Sequence, residues 1–180
     1  MNIAVYCSSS NHIADHYQQM AYALGKWIAL QGHTLVYGGA TGGLMTAVAE
    51  GAYAHKGHII GVVPNSVILK GRKTELPIEL HITQDLNERK TIMKEVADLF
   101  VVLPGSFGTL DEMFDVLSSG TLREHSKPLI LLNWEHYYDH LIQLFDRMRH
   151  ERCLSKENIY KPAIAVSLEE CIDIINKHIV

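Results

Sequence analysis

Short apolar runs alternate with longer stretches of helical periodicity, and this alternation constrains the fold more than any other feature of the sequence. Apolar runs rich in β-branched residues are typical of strands that a parallel sheet buries on both faces. The predicted strands cover 3–7, 34–37, 58–63, 99–103 and 128–132, with 78–82 and 163–166 as further candidates. The predicted helices cover 12–31, 43–55, 86–97, 109–119, 135–149 and 168–178. The pattern predicts an α/β fold: a single Rossmann-like, doubly wound domain over residues 1–180, whose mostly parallel sheet is flanked by helices.

Local signals mark several helix ends. Gly32 and Gly57 follow the first two predicted helices as C-terminal stops. Ser167 precedes the last helix as an N-cap, with Glu170 three residues further on. The segment 64–77 is the least regular part of the chain, and we expect it to form a mobile loop over a site.

Two strand-to-helix turns are rich in glycine. Residues 38–43 follow the second predicted strand, and residues 104–112, Pro-Gly-Ser-Phe-Gly-Thr-Leu-Asp-Glu, follow the strand at 99–103. In an open α/β sheet, ligands bind outside the carboxyl ends of the strands. A helix that begins there directs unpaired N–H groups and the positive end of its dipole at one point, which favours an anion such as phosphate. Each turn alone is equally compatible with an ordinary tight turn, but the two together predict a site between them.

Neither turn matches a common nucleotide-binding motif. The turn at 38–43 lacks the G-x-G-x-x-G spacing of dinucleotide-binding proteins. It also lacks the Lys-Ser/Thr pair that completes a P-loop. Hydride transfer and ATP hydrolysis therefore lose their main support.

Composition argues against several other classes of function. Lys and Arg number 16 against 20 Asp and Glu, for a formal net charge of -4, and no basic run provides the surface that nucleic acid requires. No apolar segment reaches the roughly 18 residues of a membrane span, so we expect a soluble, cytoplasmic protein with no membrane partner. The 3 cysteines are widely spaced and the 11 histidines lack paired spacing, so we expect reduced thiols and no metal. Cys7 could be a nucleophile, but we expect it to be a small buried hydrophobic residue.

Three parts of the sequence resemble the motifs of one family: Tyr-Gly-Gly at 37–39 with Gly-Gly-Leu-Met at 42–45, Glu-Arg-Lys at 88–90, and Pro-Gly-x-x-Gly-Thr-x-x-Glu at 104–112. They look like the LONELY GUY family of nucleoside 5′-monophosphate phosphoribohydrolases, long labelled possible lysine decarboxylases. The resemblance extends from Val5 to Asn133. It implies hydrolysis of the N-glycosidic bond of a purine nucleotide, with adenine or a cytokinin-type N6-modified adenine as the base, to free base and ribose 5-phosphate. It also implies a homodimer, and we expect the helices at 86–97 and 109–119 to form its contact.

Cleavage of a ribosyl C–N bond builds positive charge on the sugar, so a site needs an anionic group, a positioned water and a phosphate holder. Glu112 lies in the first turn of a helix, whose dipole favours the ionised form, so we expect a carboxylate that stabilises the cation or orients water. Arg89 is the second expected catalytic residue, because the resemblance places the matching arginine in the active site. Its planar fork suits phosphate or a base acceptor atom. An ordinary exposed ion pair with Asp85 is the alternative for Arg89.

The expected substrate contacts belong to both turns and to the helix at 86–97. They are Gly105, Ser106, Gly108 and Thr109 for the 5′-phosphate, Gly39, Thr41 and Gly42 beside ribose and phosphate, Lys90 as a further ligand contact, and Met93 and Met45 beside the base. Turn geometry alone is the alternative for the glycines, and core packing is the alternative for the methionines.

The chain departs from the family pattern at several positions. Ser106 replaces the second glycine of Pro-Gly-Gly, Ser8 replaces a glycine, Asn87 replaces a histidine, and Ser119 and Thr121 replace a tryptophan and a glutamine. Ser106 fits the turn if its backbone angles lie in an allowed region, and its hydroxyl would then add a phosphate contact. The changes at 87, 119 and 121 fall where the family shapes the base side of the pocket or the adjoining subunit contact, so they bear on the preferred base and on catalytic efficiency.

Two alternatives to hydrolysis remain. The departures at Ser106 and Asn87 are compatible with a nucleotide-binding sensor or carrier that keeps the phosphate cradle and has little or no turnover. Lysine decarboxylation depends on pyridoxal phosphate, and no internal lysine stands in a context typical of a Schiff-base site. We therefore expect a small nucleotide as the ligand and no cofactor.

Overall fold

A seven-stranded sheet forms the centre of the molecule. The computed structural model describes residues 1–154 and 160–179. The strands are β1 (Asn2–Tyr6), β2 (Thr34–Tyr37), β3 (His58–Pro64), β4 (Glu79–Thr83), β5 (Leu99–Val102), β6 (Leu129–Leu132) and β7 (Ala163–Ala165). All neighbours pair in parallel, in the order β4-β3-β2-β1-β5-β6-β7. The predicted α/β fold with a doubly wound parallel sheet is confirmed, and the two further candidate strands are present as β4 and β7.

Helices connect the strands and cover both faces of the sheet. They are α1 (Asp15–Leu30), α2 (Gly43–Ala54), α3 (Asn65–Ile68), α4 (Leu86–Val96), α5 (Phe107–Thr121), α6 (Asp139–His150) and α7 (Leu168–Asn176). The chain starts at the centre of the sheet with β1, adds β2 to β4 on one side, and then returns to add β5 to β7 on the other. This reversal leaves a crevice between the carboxyl ends of β1 and β5, the place where doubly wound sheets bind ligands.

Two apolar layers hold the helices to the sheet. Successive strand residues point to opposite faces, so Ile3 and Leu99 pack with α1, α2 and α7, whereas Ala4 and Phe100 pack with α4, α5 and α6. All four side chains are fully buried. Burial on both faces is the reason that the strands read as continuous apolar runs in the sequence.

The predicted cap of the last helix is confirmed. The Ser167 hydroxyl oxygen accepts a hydrogen bond from the N–H of Glu170 at 3.1 Å. The Glu170 carboxylate in turn accepts from the N–H of Val166 at 2.8 Å. This reciprocal arrangement satisfies donors that the first turn of α7 would leave unpaired.

Some predicted boundaries were wrong, and the predicted loop has some regular structure. α1 begins at Asp15 rather than at residue 12, and α5 begins two residues earlier than expected, at Phe107. α6 begins at residue 139 rather than 135, because Glu135 and His136 adopt left-handed backbone angles, with φ of 49° and 62°, that a regular helix does not allow. The segment 64–77 is not irregular throughout, since it contains α3, and Lys73 pairs with Ala40 in an antiparallel bridge.

Candidate active site

A small cavity of about 100 Å³ opens at the carboxyl ends of β1, β2 and β5, at the point where the strand order reverses. Its lining residues come from the ends of these strands, from the turns that follow them, and from α2, α4 and α5: Val5, Cys7, Ser9, Gly38, Met45, Arg89, Ser106, Gly108, Thr109 and Glu112. Arg89 and Glu112 supply its ionisable charges. The sheet topology therefore brings the two expected catalytic residues together with three of the expected phosphate contacts.

Arg89 and Glu112 form an ion pair between α4 and α5. The Arg89 Nη2 group donates to Glu112 Oε1, and the two side chains are only 12% and 9% exposed. Asp85 is not the partner of Arg89, because its carboxylate caps α4 by accepting from the N–H groups of Asn87 and Glu88 at 2.8 and 2.9 Å. The alternative of an ordinary exposed pair with Asp85 is therefore wrong, and the Arg89 charge is directed at the cavity.

Two outer ion pairs continue the contact between the same helices. Lys90 Nζ lies 3.0 Å from Asp111 Oδ2, and Lys94 Nζ lies 2.7 Å from Asp115 Oδ2. These pairs fix how α4 and α5 lie beside each other. They hold Arg89 and Glu112 in place on the inner side of the contact.

Burial, rather than the helix dipole, controls the ionisation of Glu112. Loss of water raises the pKa of this carboxyl from 4.5 to about 7, although the Arg89 charge opposes the rise. The expectation that a position in the first turn would favour the ionised form was wrong. α5 begins at Phe107, so Glu112 lies in its second turn, and a dipole contributes little against burial of this extent. Glu112 therefore exchanges its proton near neutral pH.

The turn between β5 and α5 leaves most of its amides unpaired. Within residues 1–154 and 160–179, no group accepts a hydrogen bond from the N–H of any residue in 106–109, whereas the N–H of Gly105 donates to the Tyr138 hydroxyl. Ser106 has φ of -102° and ψ of -157°, an extended conformation open to any residue, so the serine in place of glycine causes no strain. Its hydroxyl does not cap α5 and lines the cavity. The turn presents free donors at the positive end of a 15-residue helix.

The other glycine-rich turn, between β2 and α2, is closed by groups of the chain itself. The N–H of Gly42 donates to Thr46 Oγ1 at 2.7 Å, and the N–H of Gly43 donates to Asn11 Oδ1 at 2.9 Å. The N–H groups of Leu44 and Met45 both donate to the Ser8 carbonyl oxygen. These contacts use the donors that an anion would need, so α2 does not provide a second phosphate cradle.

Several expected ligand contacts do not reach the cavity. Gly39, Thr41 and Gly42 are absent from its lining, and the Thr41 N–H and hydroxyl both donate to the Arg72 carbonyl oxygen. Lys90 faces Asp111 instead of the cavity, and Met93 is fully buried in the core. Gly105 is also absent from the lining, and a Cβ at this position would meet the side chain of Thr109. Met45 does line the cavity.

The strand ends supply lining residues that sequence reasoning did not assign to the site: Val5, Ser9 and Gly38. Their position in the sequence could have indicated a place in the site, since each lies at or just beyond the carboxyl end of β1 or β2. Cys7 also lines the cavity, but burial raises the pKa of its thiol well above the usual value. Cys7 is thus the buried, uncharged residue that was expected, rather than an activated thiolate.

The described residues hold no group of three or more His, Cys, Asp or Glu side chains arranged to bind a metal ion. None of the helices in the described part of the chain has the length and apolar character that a membrane crossing requires.

Comparison with known proteins gives a consistent family assignment. A family model described as possible lysine decarboxylase matches residues 45–175. A probable cytokinin riboside 5′-monophosphate phosphoribohydrolase of Oryza sativa subsp. japonica is 38% identical over 153 residues, which is 85% of this chain and 62% of the relative. A cytokinin riboside 5′-monophosphate phosphoribohydrolase of Arabidopsis thaliana is 35% identical over 153 residues, 85% of this chain and 71% of the relative. The chain thus spans less than two thirds of the length of the Oryza relative.

Solved structures show the same fold. The molybdenum cofactor binding protein from the phototrophic bacterium Rippkaea orientalis aligns with a TM-score of 0.74 at 26% identity, covering 99% of this chain and 97% of that chain. The similarity therefore extends over the full length of both chains.

Proposed function

The chain belongs to the LONELY GUY family, whose model is described as possible lysine decarboxylase, and we propose that it hydrolyses the N-glycosidic bond of a purine nucleoside 5′-monophosphate. The products would be ribose 5-phosphate and the free base, which is adenine or a cytokinin-type N6-modified adenine. The names of the Oryza and Arabidopsis relatives support this reaction. Water is the only co-reactant that it requires.

The observation that carries the proposal is the buried Arg89–Glu112 pair in the same cavity as the free amides of the β5–α5 turn. A 5′-phosphate bound by these amides and by the Ser106 and Thr109 hydroxyls would place the ribose beside Glu112. The Arg89 Nε atom is buried and has no hydrogen-bond partner in the described part of the chain. A buried donor of this kind calls for an acceptor, which a phosphate or a base of the ligand would supply.

Glu112 would act as the base that activates water. As the C1′–N bond breaks, its electron pair goes to the base nitrogen, and the water oxygen forms the new bond to C1′. The Glu112 carboxylate accepts the proton of the water and then returns it to the departing base. A pKa of about 7 suits this exchange, because general bases are most effective when their pKa lies near the working pH. The carboxylate also stabilises positive charge on the ribose.

The size of the cavity limits what it can hold. Its volume of about 100 Å³ is well below the roughly 300 Å³ at which small-molecule sites begin. The cavity therefore suits the phosphate and part of the ribose, and the base would extend beyond it. This geometry leaves adenine and N6-modified adenine equally possible.

Substitution of Glu112 by glutamine tests the proposal. We expect turnover to fall about 10²- to 10⁴-fold in Glu112→Gln, with the nucleotide still bound, because the amide keeps the shape but cannot accept the proton. AMP, GMP, CMP and isopentenyl-AMP would be offered in parallel, and free base and ribose 5-phosphate would be quantified by chromatography. Glu95→Gln is the matched control, since it makes the same change to an exposed carboxylate on α4 that does not line the cavity. Full activity in Glu112→Gln would remove Glu112 from the mechanism.

A carrier or sensor of nucleotides is the second candidate function. The specific observation in its favour is the full-length similarity to the molybdenum cofactor binding protein of Rippkaea orientalis. Calorimetry with AMP and a long incubation distinguish the two functions. Binding of AMP without release of ribose 5-phosphate would favour a carrier. Release of one ribose 5-phosphate for each AMP consumed, over many turnovers, would favour the hydrolase.

We also propose that residues 1–180 form one domain that assembles as a homodimer, with α4 and α5 at or near the contact. Exposed Phe114 on α5 and Leu122 just after it border an apolar groove between α5 and α6, which a second copy could cover. A monomeric mass in light scattering would contradict the dimer.

We propose a cytoplasmic location. The thiols of Cys7, Cys153 and Cys171 are free, which is consistent with a reducing compartment. The net charge of -4 is consistent with a small nucleotide, rather than a nucleic acid, as the ligand.

A further inference from the structure

The three carbonyl groups that lead into α5 are each held by a donor from another part of the chain. The hydroxyl of Tyr138 donates to the Leu103 carbonyl oxygen at 2.8 Å. The N–H of Ser8 donates to the Pro104 carbonyl oxygen at 3.1 Å. The hydroxyl of Tyr137 donates to the Gly105 carbonyl oxygen at 2.9 Å. No carbonyl of the turn is thus left to approach an anion at the cavity.

Because peptide groups are planar, the hydrogen bonds to these carbonyls also fix the direction in which the following N–H groups point. In a trans peptide the C=O and the N–H of the next residue point in opposite directions. A hydroxyl that holds the Gly105 carbonyl therefore also orients the N–H of Ser106 the other way. Ser106 lines the cavity, whereas Tyr137 does not. The Tyr137 hydroxyl thus turns the Ser106 peptide so that its donor, rather than its acceptor, faces the cavity.

The two tyrosines are placed by a turn with an unusual backbone. Glu135 and His136 are consecutive residues in the left-handed region, where residues other than glycine are rare and strained. Asn133 closes the turn, since its Oδ1 accepts from the N–H of Tyr138 and its Nδ2 donates to Asp139 Oδ1, both at 2.7 Å. A turn held in this conformation puts both hydroxyls within reach of the β5–α5 turn.

We infer that Tyr137 is a positioning residue for phosphate binding: its hydroxyl holds the Gly105 peptide so that the amides of the β5–α5 turn converge on the phosphate of the ligand. This role rests on the proposed function, in that the ligand is a nucleoside 5′-monophosphate. It predicts that loss of the hydroxyl weakens the recognition of phosphate and spares the recognition of the base and sugar.

Calorimetric titration of the full chain and of Tyr137→Phe with AMP and with adenosine tests the inference. We expect the Kd for AMP to rise about 5- to 50-fold in Tyr137→Phe, because an unheld carbonyl can rotate toward the anion. The Kd for adenosine should change less than about twofold. Tyr53→Phe is the matched control, since Tyr53 and Tyr137 are both 45% exposed and no group in the described residues hydrogen-bonds the Tyr53 hydroxyl.

The outcomes separate this inference from the proposed reaction. A selective loss of AMP affinity supports the role of Tyr137, whether or not the unaltered chain releases ribose 5-phosphate. Equal affinities of the unaltered chain and Tyr137→Phe for AMP would overturn it, and so would an equal loss for AMP and adenosine. For an active chain, a raised KM for AMP with an unchanged kcat is the matching kinetic result. Absence of ribose 5-phosphate release by the unaltered chain contradicts the hydrolase alone, because the titrations need no turnover.

Discussion

The turns at 38–43 and 104–109 have similar sequences and opposite structural roles. Both follow a central strand, both contain two or more glycines, and both begin a helix. In the first, Thr46, Asn11 and Ser8 accept the hydrogen bonds of the leading amides of α2. In the second, the carbonyls of Leu103 to Gly105 are held and the N–H groups of 106–109 are free among the described residues. A glycine-rich helix start is thus a binding site only where the chain does not supply the acceptors itself.

The two turns also differ in the charged groups beside them. We call the turn at 104–109 the open turn and the turn at 38–43 the closed turn. Glu112 and Arg89 lie beside the open turn, where they are buried and paired with each other. The groups that accept from the leading amides of α2 are uncharged: an amide oxygen, a hydroxyl and a backbone carbonyl. A cation lies there as well, since the Arg72 guanidinium donates to the Thr41 carbonyl oxygen at 2.9 Å. Changes at the open turn should therefore alter ligand binding and pH dependence, and changes at the closed turn should alter stability.

Among changes to the two turns themselves, the addition of a methyl group at Gly105 has the largest expected effect. In Gly105→Ala, the new Cβ would lie 2.1 Å from Thr109 Oγ1 and 2.6 Å from Thr109 Cβ, so the turn or α5 must move. We expect kcat/KM for AMP to fall about 10²- to 10³-fold, the loss typical of one misplaced anion-binding donor. Gly108→Ala is the comparison variant: its Cβ would meet no atom of the chain within 4 Å, so the turn keeps its shape, and we expect a smaller loss than in Gly105→Ala even though Gly108 lines the cavity. Equal losses in both variants would show that the precise shape of the turn is unimportant.

The sequence predicts the parts of this site that depend on neighbouring residues, and it does not predict the parts that depend on contacts between distant residues. The strands, the two turns and the family were all predictable, because they depend on local patterns such as the apolar run before Pro104. The closure of the first turn was not, because Asn11 and Gly43 are 32 residues apart and meet only in the folded chain. The raised pKa of Glu112 was missed for the same reason, since its burial depends on how α4 packs on α5.

The second prediction concerns the pH dependence that the open turn confers. Only the ionised form of Glu112 can accept a proton, so kcat/KM should fall about tenfold per pH unit below a midpoint near 7 and level off above it. The Arg89 charge lowers the pKa of this carboxyl, so Arg89→Gln should move the midpoint to higher pH. Lys90 acts in the same direction with a smaller effect, so Lys90→Gln should shift the midpoint less. A midpoint that stays fixed in Arg89→Gln would assign it to another group, such as the substrate phosphate.

The third prediction is that the Glu112 carboxyl makes the free energy of unfolding fall as the pH rises. Because the folded pKa lies above the unfolded value of 4.5, the folded chain holds the proton more tightly between pH 4.5 and about 7. The stability contribution of this group is therefore complete below pH 4.5 and is lost as the pH rises through 7, by at most about 3 kcal/mol. Urea unfolding at pH 5 and pH 8 should show this component in the unaltered chain and not in Glu112→Gln. Glu95→Gln, which changes an exposed carboxylate on α4, should leave it in place.

The smallest expected effect is at the closed turn. Asn11→Ala removes the acceptor of the Gly43 N–H and should lower the free energy of unfolding by about 1 kcal/mol, the usual value of a helix cap. Turnover should stay within about twofold, because Asn11 does not line the cavity. Asn65→Ala is the control, since this exposed side chain makes no hydrogen bond in the described part of the chain and its loss should change neither quantity. If Asn11→Ala instead reduced turnover and left unfolding unchanged, α2 would belong to the ligand site, and the two turns would share one role.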